Sequence, residues 1–367
     1  MNWVDLARRW VPRRLRFAIQ RVVALPEMKQ RHARQRNPLA HVLESDDDGA
    51  GLGFRLGIAF NRYYHHTRFV AACLELRIPF RVIDLYAPGW WDGWQAAECD
   101  ALLAWPEAHV PSAARVLKDR LDLLELHRGI PVVPAAHERW MYEDKIRLSD
   151  WLRTKGVPHP RTWVFTDRLE AMEFAGACEV PIVTKTAFGA QATGVRILRS
   201  RRAVRSTIRR AFGRGLVPDG QDHRERQRGS VLFQEHLAIT HEWRMVRIGD
   251  SYFGHPKGRR GDFFSGSGHT LQDVPDPRHL DFLHFVTECG GFRGMAVDVF
   301  EAADGRLLVN ELQTVFGVSR FFDQTWVDGV AGRMVRGDEG WRFEPGEFAR
   351  NACANARVLD LLERWQP

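Results

Sequence analysis

The chain has 367 residues, of which 44% are hydrophobic and 27% charged, a length that accommodates two or three domains with cores of their own. Its net charge of +7 is modest and lies mainly in two stretches, Arg8–Arg36 and Arg199–Arg228, which argues against a nucleic-acid-binding chain. Five widely spaced cysteines without a CxxC pair argue against a disulfide framework or a zinc site and favour reduced thiols.

The first 52 residues are predicted to form a basic arm followed by a linker. Trp3, Leu6 and Trp10 recur near helical spacing between arginines, which fits an amphipathic helix on an anionic membrane surface. An arm packed on its own domain or on a partner subunit is the favoured alternative, because most amphipathic stripes face a core. No apolar run has the length of a membrane span, and arginines interrupt any signal-peptide core. We therefore expect a cytoplasmic protein, with peripheral membrane contact and a homo-oligomer left open.

A Rossmann-like domain is predicted over residues 53–134. The predicted strands are 54–60, 80–86, 101–105 and 130–134, and the predicted helices are 66–76 and 112–126. This alternation is typical of a parallel, doubly wound sheet, whose ligands bind at the C-terminal ends of the strands. The aromatic loops 61–66 and 87–94 lie at this rim, so we predict substrate contact there, with ordinary surface loops as the alternative. The candidate substrate residues in the first loop are Tyr63, His65 and His66.

A second α/β region, dominated by antiparallel strands, is predicted over residues 135–330. A helix at 142–155 carries Lys145, and a strand ends at Lys185. An arginine-rich helix at 201–210 follows, and the simplest interpretation of its arginines is a face exposed to solvent. Further strands then lead to a final hairpin. The remaining residues, 331–367, are predicted to be a C-terminal helical segment.

The final hairpin carries three oxygen-bearing side chains. Its turn, EAADGR, separates two apolar strands, and Ala-Asp-Gly is turn chemistry. Side chains alternate along a strand, so Glu311 and Gln313 point the same way, and Asp298 can face them from the paired strand. Oxygen ligands on one face suit Mg²⁺ or Mn²⁺. A solvated hairpin face is the alternative when the hairpin is considered alone.

Small residues and cations that suit phosphate precede this hairpin. The loop after Lys185 contains Gly189, Ala190 and Gly194, which allow backbone N–H groups to approach phosphate oxygens. The loop lacks both the P-loop and the GxGxxG pattern, and a tight hairpin would explain its glycines equally well. Cations that could neutralise a phosphoryl group or bind an anionic substrate follow it, namely Arg244, Lys257, Arg259 and Arg260. For each arginine considered alone, exposure to solvent is a simpler explanation than ligand binding.

The order of these features along residues 54–330 resembles the ATP-grasp superfamily. The matching segments are DKIRLSDWLRTKGVPHPRTWVF, PIVTKTAFGAQATGV, VLFQEHL, and VDVF followed by VNELQT. The resemblance implies a Rossmann-like domain before a two-lobed ATP-grasp domain with mainly antiparallel sheets, α/β and α+β in class, and a lid lobe at 160–229. It also implies ATP and Mg²⁺ as cofactors, with Mn²⁺ as an alternative metal.

The resemblance also implies a role for individual residues. The implied ATP-binding residues are Lys145, Lys185, Gly189, Ala190, Gly194, Glu235, Leu237 and Glu242. The implied transition-state cations are Arg244 and either Lys257 or Arg259, while Arg260 is left for substrate. The implied magnesium ligands are Asp298, Glu311 and Gln313. Family members usually have Glu-x-Asn where this chain has Glu-x-Gln, so the metal geometry must adjust to a longer amide.

The expected function is that of an ATP-dependent ligase that joins a carboxylate to an amine through an acyl phosphate. The aromatic loops and the arginine excess favour an acidic, sugar-containing or amino-acid-like acceptor. A kinase of the same superfamily, which would phosphorylate a hydroxyl group, is one alternative. A non-catalytic ATP-binding protein associated with surface polysaccharide is the other.

Overall fold

The computed structural model describes residues 25–45, 53–189, 194–218, 225–258, 273–316 and 324–364. The N-terminal tryptophans and three predicted site residues, Ala190, Arg259 and Arg260, lie outside these ranges. Among the described residues, no helix is both long enough and apolar enough to cross a membrane. The described residues contain no disulfide bond, and Cys73, Cys178 and Cys353 are buried.

A four-stranded parallel sheet forms in the first region, as predicted. Its strands are β1 (Leu56–Ala59), β2 (Phe80–Ile83), β3 (Ala101–Leu103) and β4 (Val132–Val133), in the order β2-β1-β3-β4. The strands are short and mostly buried because helices cover both faces of the sheet. These helices are α2 (Thr67–Leu76), α3 (Trp90–Ala97) and α4 (Pro111–Asp122), the last continued by a π-helical turn, Leu123–His127.

The loop predicted at 87–94 is largely helical, which corrects the sequence prediction. Trp90 and Trp91 belong to α3 and pack beside the core between that helix and the sheet. Arg120 and Arg128 lie over their rings. These tryptophans therefore stabilise the domain, and the substrate contact expected of this segment stays a prediction.

The segment before β1 is also more ordered than a linker. Helix α1 (Leu25–Arg36) precedes an extended stretch in which Leu39 and Val42 pack against the core of the parallel sheet. The backbone N–H of Val82 donates to the carbonyl of Leu43 at 2.6 Å. Apolar side chains that bury against β2 explain why this polar-looking segment is held.

A second, antiparallel sheet spans the lid lobe predicted at 160–229 and extends beyond it to Glu235. It contains β5 (Thr162–Phe165), β6 (Ile182–Lys185), β7 (Val195–Leu198) and β8 (Val231–Glu235), in the order β5-β8-β6-β7. Helices α7 (Arg168–Ala177) and α8 (Arg201–Phe212) follow β5 and β7 in the chain. Val204, Ile208 and Ala211 of α8 are buried against the sheet and α7, whereas its arginines lie mostly on the opposite, exposed side, as the solvated-face interpretation predicts.

The largest sheet is antiparallel and carries the final hairpin. Its strands are β9 (Ile239–Ile248), β10 (Ser251–Pro256), β11 (Gly294–Ala302), β12 (Leu307–Gln313), β13 (Thr325–Val327), β14 (Val330–Gly337) and β15 (Gly340–Pro345). The order is β12-β11-β9-β10-β14-β13, with β15 paired to β14. Two helices, α6 (Lys145–Thr154) and α9 (Pro277–Gly290), contribute side chains to the core on this sheet, and a short α5 (Ala136–Arg139) precedes them.

The prediction of a helical segment over 331–367 is wrong for its first half. Strands β14 and β15 occupy 330–345, because their alternating side chains complete the large sheet. The final helix, α10 (Arg350–Arg364), has left-handed backbone at 351–353. Val358 and Leu361 of this helix pack into the core of the parallel sheet. The domain boundaries themselves stay a prediction.

Candidate active site

A β-bulge shapes the hairpin formed by β11 and β12. Asp298 lies opposite Glu311, and the next pair along the strands is Val299 with Val309. Asn310 is therefore the extra residue of the bulge. A bulge re-aims side chains locally, so Asn310 and Glu311 both reach groups in the same cleft, as their contacts below show.

Asp298 is the most buried of the predicted metal ligands, with only 2% of its side chain exposed. Arg244 donates to both of its oxygens, from Nε at 2.9 Å and from a terminal nitrogen at 3.1 Å. Lys257 bridges Asp298 and the equally buried Glu242. Burial alone would favour the neutral acid, but Arg244 and Lys257 hold the pKa of Asp298 well below its ordinary value. The two predicted transition-state cations thus share one carboxylate.

Lys145 joins the start of α6 to the hairpin. Its Nζ lies 3.1 Å from Glu311 Oε1 and donates to the carbonyl of Gly189 at 2.8 Å. The helix begins here because Asp144 caps it, accepting from two backbone N–H groups. Burial lowers the pKa of Lys145, but the carboxylates of Glu311 and Glu143 more than offset this, and the net shift is upward. The side chain is therefore a permanent cation beside Glu311.

Lys185 approaches the same hairpin from β6. Its Nζ donates to Asn310 Oδ1 at 2.9 Å. Burial, together with repulsion from Lys145, lowers the pKa of Lys185 to about 8, although Glu311 opposes the shift. A small cavity between the two lobes is lined by both lysines and Asn310, so the two predicted phosphate lysines do converge.

The small-residue loop after Lys185 joins β6 to β7, which pair as a hairpin. Gly194 has no room for a side chain, because a Cβ there would lie 1.9 Å from Oγ1 of Thr186. The backbone N–H of Thr186 donates to the carbonyl of Gly194 at 3.1 Å. The tight-hairpin explanation therefore accounts for Gly194, while Gly189 offers its carbonyl to Lys145. Phosphate contact by this loop stays a prediction.

The predicted adenine and ribose contacts lie at the end of β8. Glu235 accepts from the backbone N–H of Arg161 at 2.7 Å and from its side-chain Nε at 3.0 Å. Leu237 follows the strand and is partly exposed. Both residues lie at the C-terminal end of β8, an inner strand of its sheet, and their contact with adenine and ribose stays a prediction.

The first loop of the parallel sheet holds the predicted substrate residues. Asn61 organises it, since its Oδ1 accepts from the N–H of Tyr63 at 2.9 Å. His66 is buried, and its Nδ1 accepts from the N–H of Asn61 at 3.1 Å. This bond gives His66 a structural role in the loop, and its contact with substrate stays a prediction. Tyr63 and His65 face His109, which follows β3.

Four residues of this region were missed in the sequence interpretation: Glu107, His109, Glu143 and Asn310. The first two follow β3, and the rule that ligands bind beyond strand ends points to them. Asn310 adjoins Glu311, but only the bulge directs it into the cleft. Glu143 has left-handed backbone, with φ of 54°, a conformation that sequence alone does not reveal.

The side-chain oxygens of the hairpin are ligands of the kind that a hard cation prefers. Each of the three predicted ligands already contacts a cationic side chain: Asp298 contacts Arg244 and Lys257, Glu311 contacts Lys145, and Gln313 Oε1 accepts from Arg244 at 3.3 Å. Within the described ranges, histidine, cysteine and carboxylate groups do not form a metal site by themselves. An amide oxygen, from Gln313 or Asn310, would therefore complete the oxygen set around Glu311.

Comparisons with solved structures identify the fold. The sequence matches no protein-family model and no curated protein. The RimK domain ATP-grasp protein of Sphaerobacter thermophilus is similar to this chain at a TM-score of 0.50 and 20% identity, over 70% of this chain and 90% of that one. N5-carboxyaminoimidazole synthetase from Staphylococcus aureus, in its ADP complex, is similar at a TM-score of 0.55 and 11% identity, over 86% of this chain and 79% of that one.

A third similar structure has ADP, magnesium and bicarbonate bound. It is the biotin carboxylase domain of the 2-oxoglutarate carboxylase of Hydrogenobacter thermophilus, with a TM-score of 0.54 and 16% identity over 72% of this chain and 65% of that one. The chain has the ATP-grasp fold, as the order of its motifs predicts. Its Rossmann-like domain precedes two antiparallel lobes, and the cleft described above lies between those lobes.

Proposed function

We propose that the protein is an ATP-dependent carboxylate–amine ligase. The observation that carries this proposal is the meeting of two lysines from different lobes, Lys145 and Lys185, at one hairpin, where they contact Glu311 and Asn310. Two further cations, Arg244 and Lys257, lie on Asp298 of the same hairpin. Four cations around oxygen ligands suit the triphosphate of ATP and the charge that develops during phosphoryl transfer.

In the proposed reaction, a carboxylate oxygen attacks the γ-phosphorus of ATP and ADP leaves, which gives an acyl phosphate. Lys145 and Lys185 would hold the phosphates, and Arg244 and Lys257 would stabilise charge on the transferring group. Magnesium bound by Glu311 and Gln313 would neutralise phosphate charge. An amine then attacks the acyl carbon, the C–N bond forms, and phosphate leaves. The fold holds the reacting groups next to one another, so no covalent enzyme intermediate is required.

The acyl phosphate can be trapped. Incubating the protein with ATP, Mg²⁺, hydroxylamine and a panel of carboxylates that includes glucuronate and amino acids should release ADP and yield a coloured ferric hydroxamate. A kinase would release ADP with a hydroxyl acceptor and yield a phosphate ester that hydroxylamine does not cleave. A protein that binds ATP but forms no ADP with any acceptor would contradict both enzymatic proposals.

Nucleotide affinity should fall at alkaline pH because of Lys185. Its pKa of about 8 lies below the ordinary lysine value of 10.5, so the ammonium is charged below pH 8 and loses its proton as the pH rises through that value. Calorimetric titration with ADP and Mg²⁺ should show constant affinity below the pKa and a fall above it, by up to about tenfold per pH unit. Lys185→Arg, whose guanidinium stays protonated, should remove this fall. A wild-type profile as flat as that of the variant would contradict the assignment.

A further inference from the structure

A second polar cluster lies beyond the C-terminal ends of β1 and β3. Its members are Tyr63, His65, Glu107 and His109. The ring of His109 stacks on Tyr63 with centroids 4.2 Å apart, and on His65 at 5.9 Å. The mechanism described above uses none of these side chains. Their position at the strand ends is where ligands bind in parallel sheets.

Glu107 and His109 form a carboxylate–histidine pair in which only the carboxylate is buried. Oε1 of Glu107 accepts from the backbone N–H of His109 at 2.7 Å and lies 3.2 Å from its Nδ1. The Glu107 side chain is fully buried, whereas that of His109 is 41% exposed. Since Oε1 of Glu107 already accepts from the backbone N–H, its contact with Nδ1 fits the tautomer with the hydrogen on Nδ1, which leaves Nε2 as an acceptor. The pair therefore presents an oriented base at an accessible position.

The neighbouring histidine does not duplicate this base. Burial, with the nearby charges of Arg68 and His109, lowers the pKa of His65 to about 4. His65 is therefore neutral near pH 7 and packs between His109 and Trp105. The guanidinium groups of this region lie over aromatic rings, Arg68 over Trp105 and Arg62 over Tyr86.

Glu143 connects the cluster to the hairpin. It lies just before α6, and burial raises its pKa to about 7, against the opposing charge of Lys145 and with the support of Glu311. Its Oε2 is buried and has no hydrogen-bond partner. Its left-handed backbone is costly for a residue with a side chain, and such strain is found mostly where a site requires it. A buried carboxyl group with an unpartnered oxygen is stabilised in its charged form by a cation beside it, so this position favours a positively charged ligand.

We propose that His109 accepts the proton of the nucleophile, a primary amine, and that Glu107 is its positioning residue. The proposal rests on the ligase function proposed above. The ammonium group would lie against Glu143 and give one proton to Nε2 of His109. The free amine forms the C–N bond as the C–O bond to phosphate breaks, its second proton leaves with the phosphate, and His109 returns the first proton to solvent. Atoms and charges balance without another reactant.

Hydroxylamine separates this role from phosphoryl transfer, because it is largely uncharged at neutral pH and needs no base. With the acid that gives the most hydroxamate, we would compare hydroxamate formation with amide formation from ethylamine, 1,4-diaminobutane, lysine and glucosamine. In His109→Gln, amide formation should fall about 100-fold, while hydroxamate formation changes less than about twofold. Glu107→Gln should show the same split to a smaller degree, and Glu143→Gln should raise KM for the amine but not for hydroxylamine. His127→Gln, an exposed histidine elsewhere, is the control.

The outcomes distinguish the two proposals. Absence of hydroxamate with the wild-type protein would contradict the ligase function itself. If hydroxamate forms but His109→Gln lowers both products equally, or neither, the role of His109 is overturned. If none of the four amines forms an amide and none competes with hydroxylamine, the amine assignment is overturned.

Discussion

Replacement of Glu311 by glutamine should lower ATP-dependent product formation by a factor on the order of 10²–10³. Glu311 is the hairpin carboxylate that contacts Lys145 and remains partly exposed in the cleft, whereas Asp298 is saturated by two cations. Glutamine has the same shape but no charge, so it would bind magnesium weakly and leave Lys145 without its partner. ADP release with the best carboxylate acceptor, measured at saturating Mg²⁺, gives the size of the loss.

Two variants serve as controls for Glu311→Gln. Glu301→Gln removes a carboxylate of the same hairpin that pairs with the exposed Arg278, outside the cleft, and should leave turnover unchanged. Gln313→Asn restores the Glu-x-Asn pattern of the superfamily and should retain most of the activity. Wild-type turnover in Glu311→Gln would show that the hairpin does not hold the metal.

Replacement of Asp298 by asparagine should destabilise the fold by about 3 kcal/mol. The carboxylate is buried and neutralises Arg244 and Lys257, whose side chains are only 17% and 11% exposed. Removing one partner of a buried ion pair leaves uncompensated charge, which costs more than the pair itself contributes. Urea denaturation followed by tryptophan fluorescence should show a lower midpoint with an unchanged slope.

An exposed pair of the same chemistry is the matched control. Asp304 pairs with Arg306 in the turn of the hairpin, where both side chains are more than half exposed. Asp304→Asn should leave the midpoint unchanged within error, because exposed pairs contribute little. Equal midpoints for Asp298→Asn and Asp304→Asn would mean that Asp298 is not the buried counter-ion seen in the structure.

The order of the site residues could be predicted from the sequence, because strands and turns have residue patterns that can be recognised within a few positions. The turn EAADGR and the alternation around Glu311 place the hairpin correctly, and the strand ending at Lys185 is found as predicted. The role of Asn310 could not be predicted, because a bulge depends on pairing between strands. The pairing of Asp298 with Arg244 is equally a property of neighbouring strands, β11 and β9.

The errors have a common physical cause, which is burial by distant parts of the chain. Trp90 and Trp91 are predicted in a loop but lie in α3 and pack against the core, and Leu39 and Val42 are predicted in a linker but pack against the core of the parallel sheet. Strands β14 and β15 alternate apolar residues with arginine and glycine, and their place becomes evident only when β14 pairs with β10 and β15 with β14. Glu107 and His109 follow β3, a strand that the sequence predicts, and their place beyond a strand end is a signal for ligand binding that the sequence does carry.

A crystal structure with a non-hydrolysable ATP analogue and Mn²⁺ tests the central claim most directly. The anomalous signal of manganese should appear beside Glu311 and Gln313, with the phosphates of the nucleotide between Lys145 and Lys185. This result would establish the cleft between the two antiparallel lobes as the ATP site. Nucleotide bound elsewhere, or manganese absent from the hairpin while nucleotide is present, would contradict the proposed site.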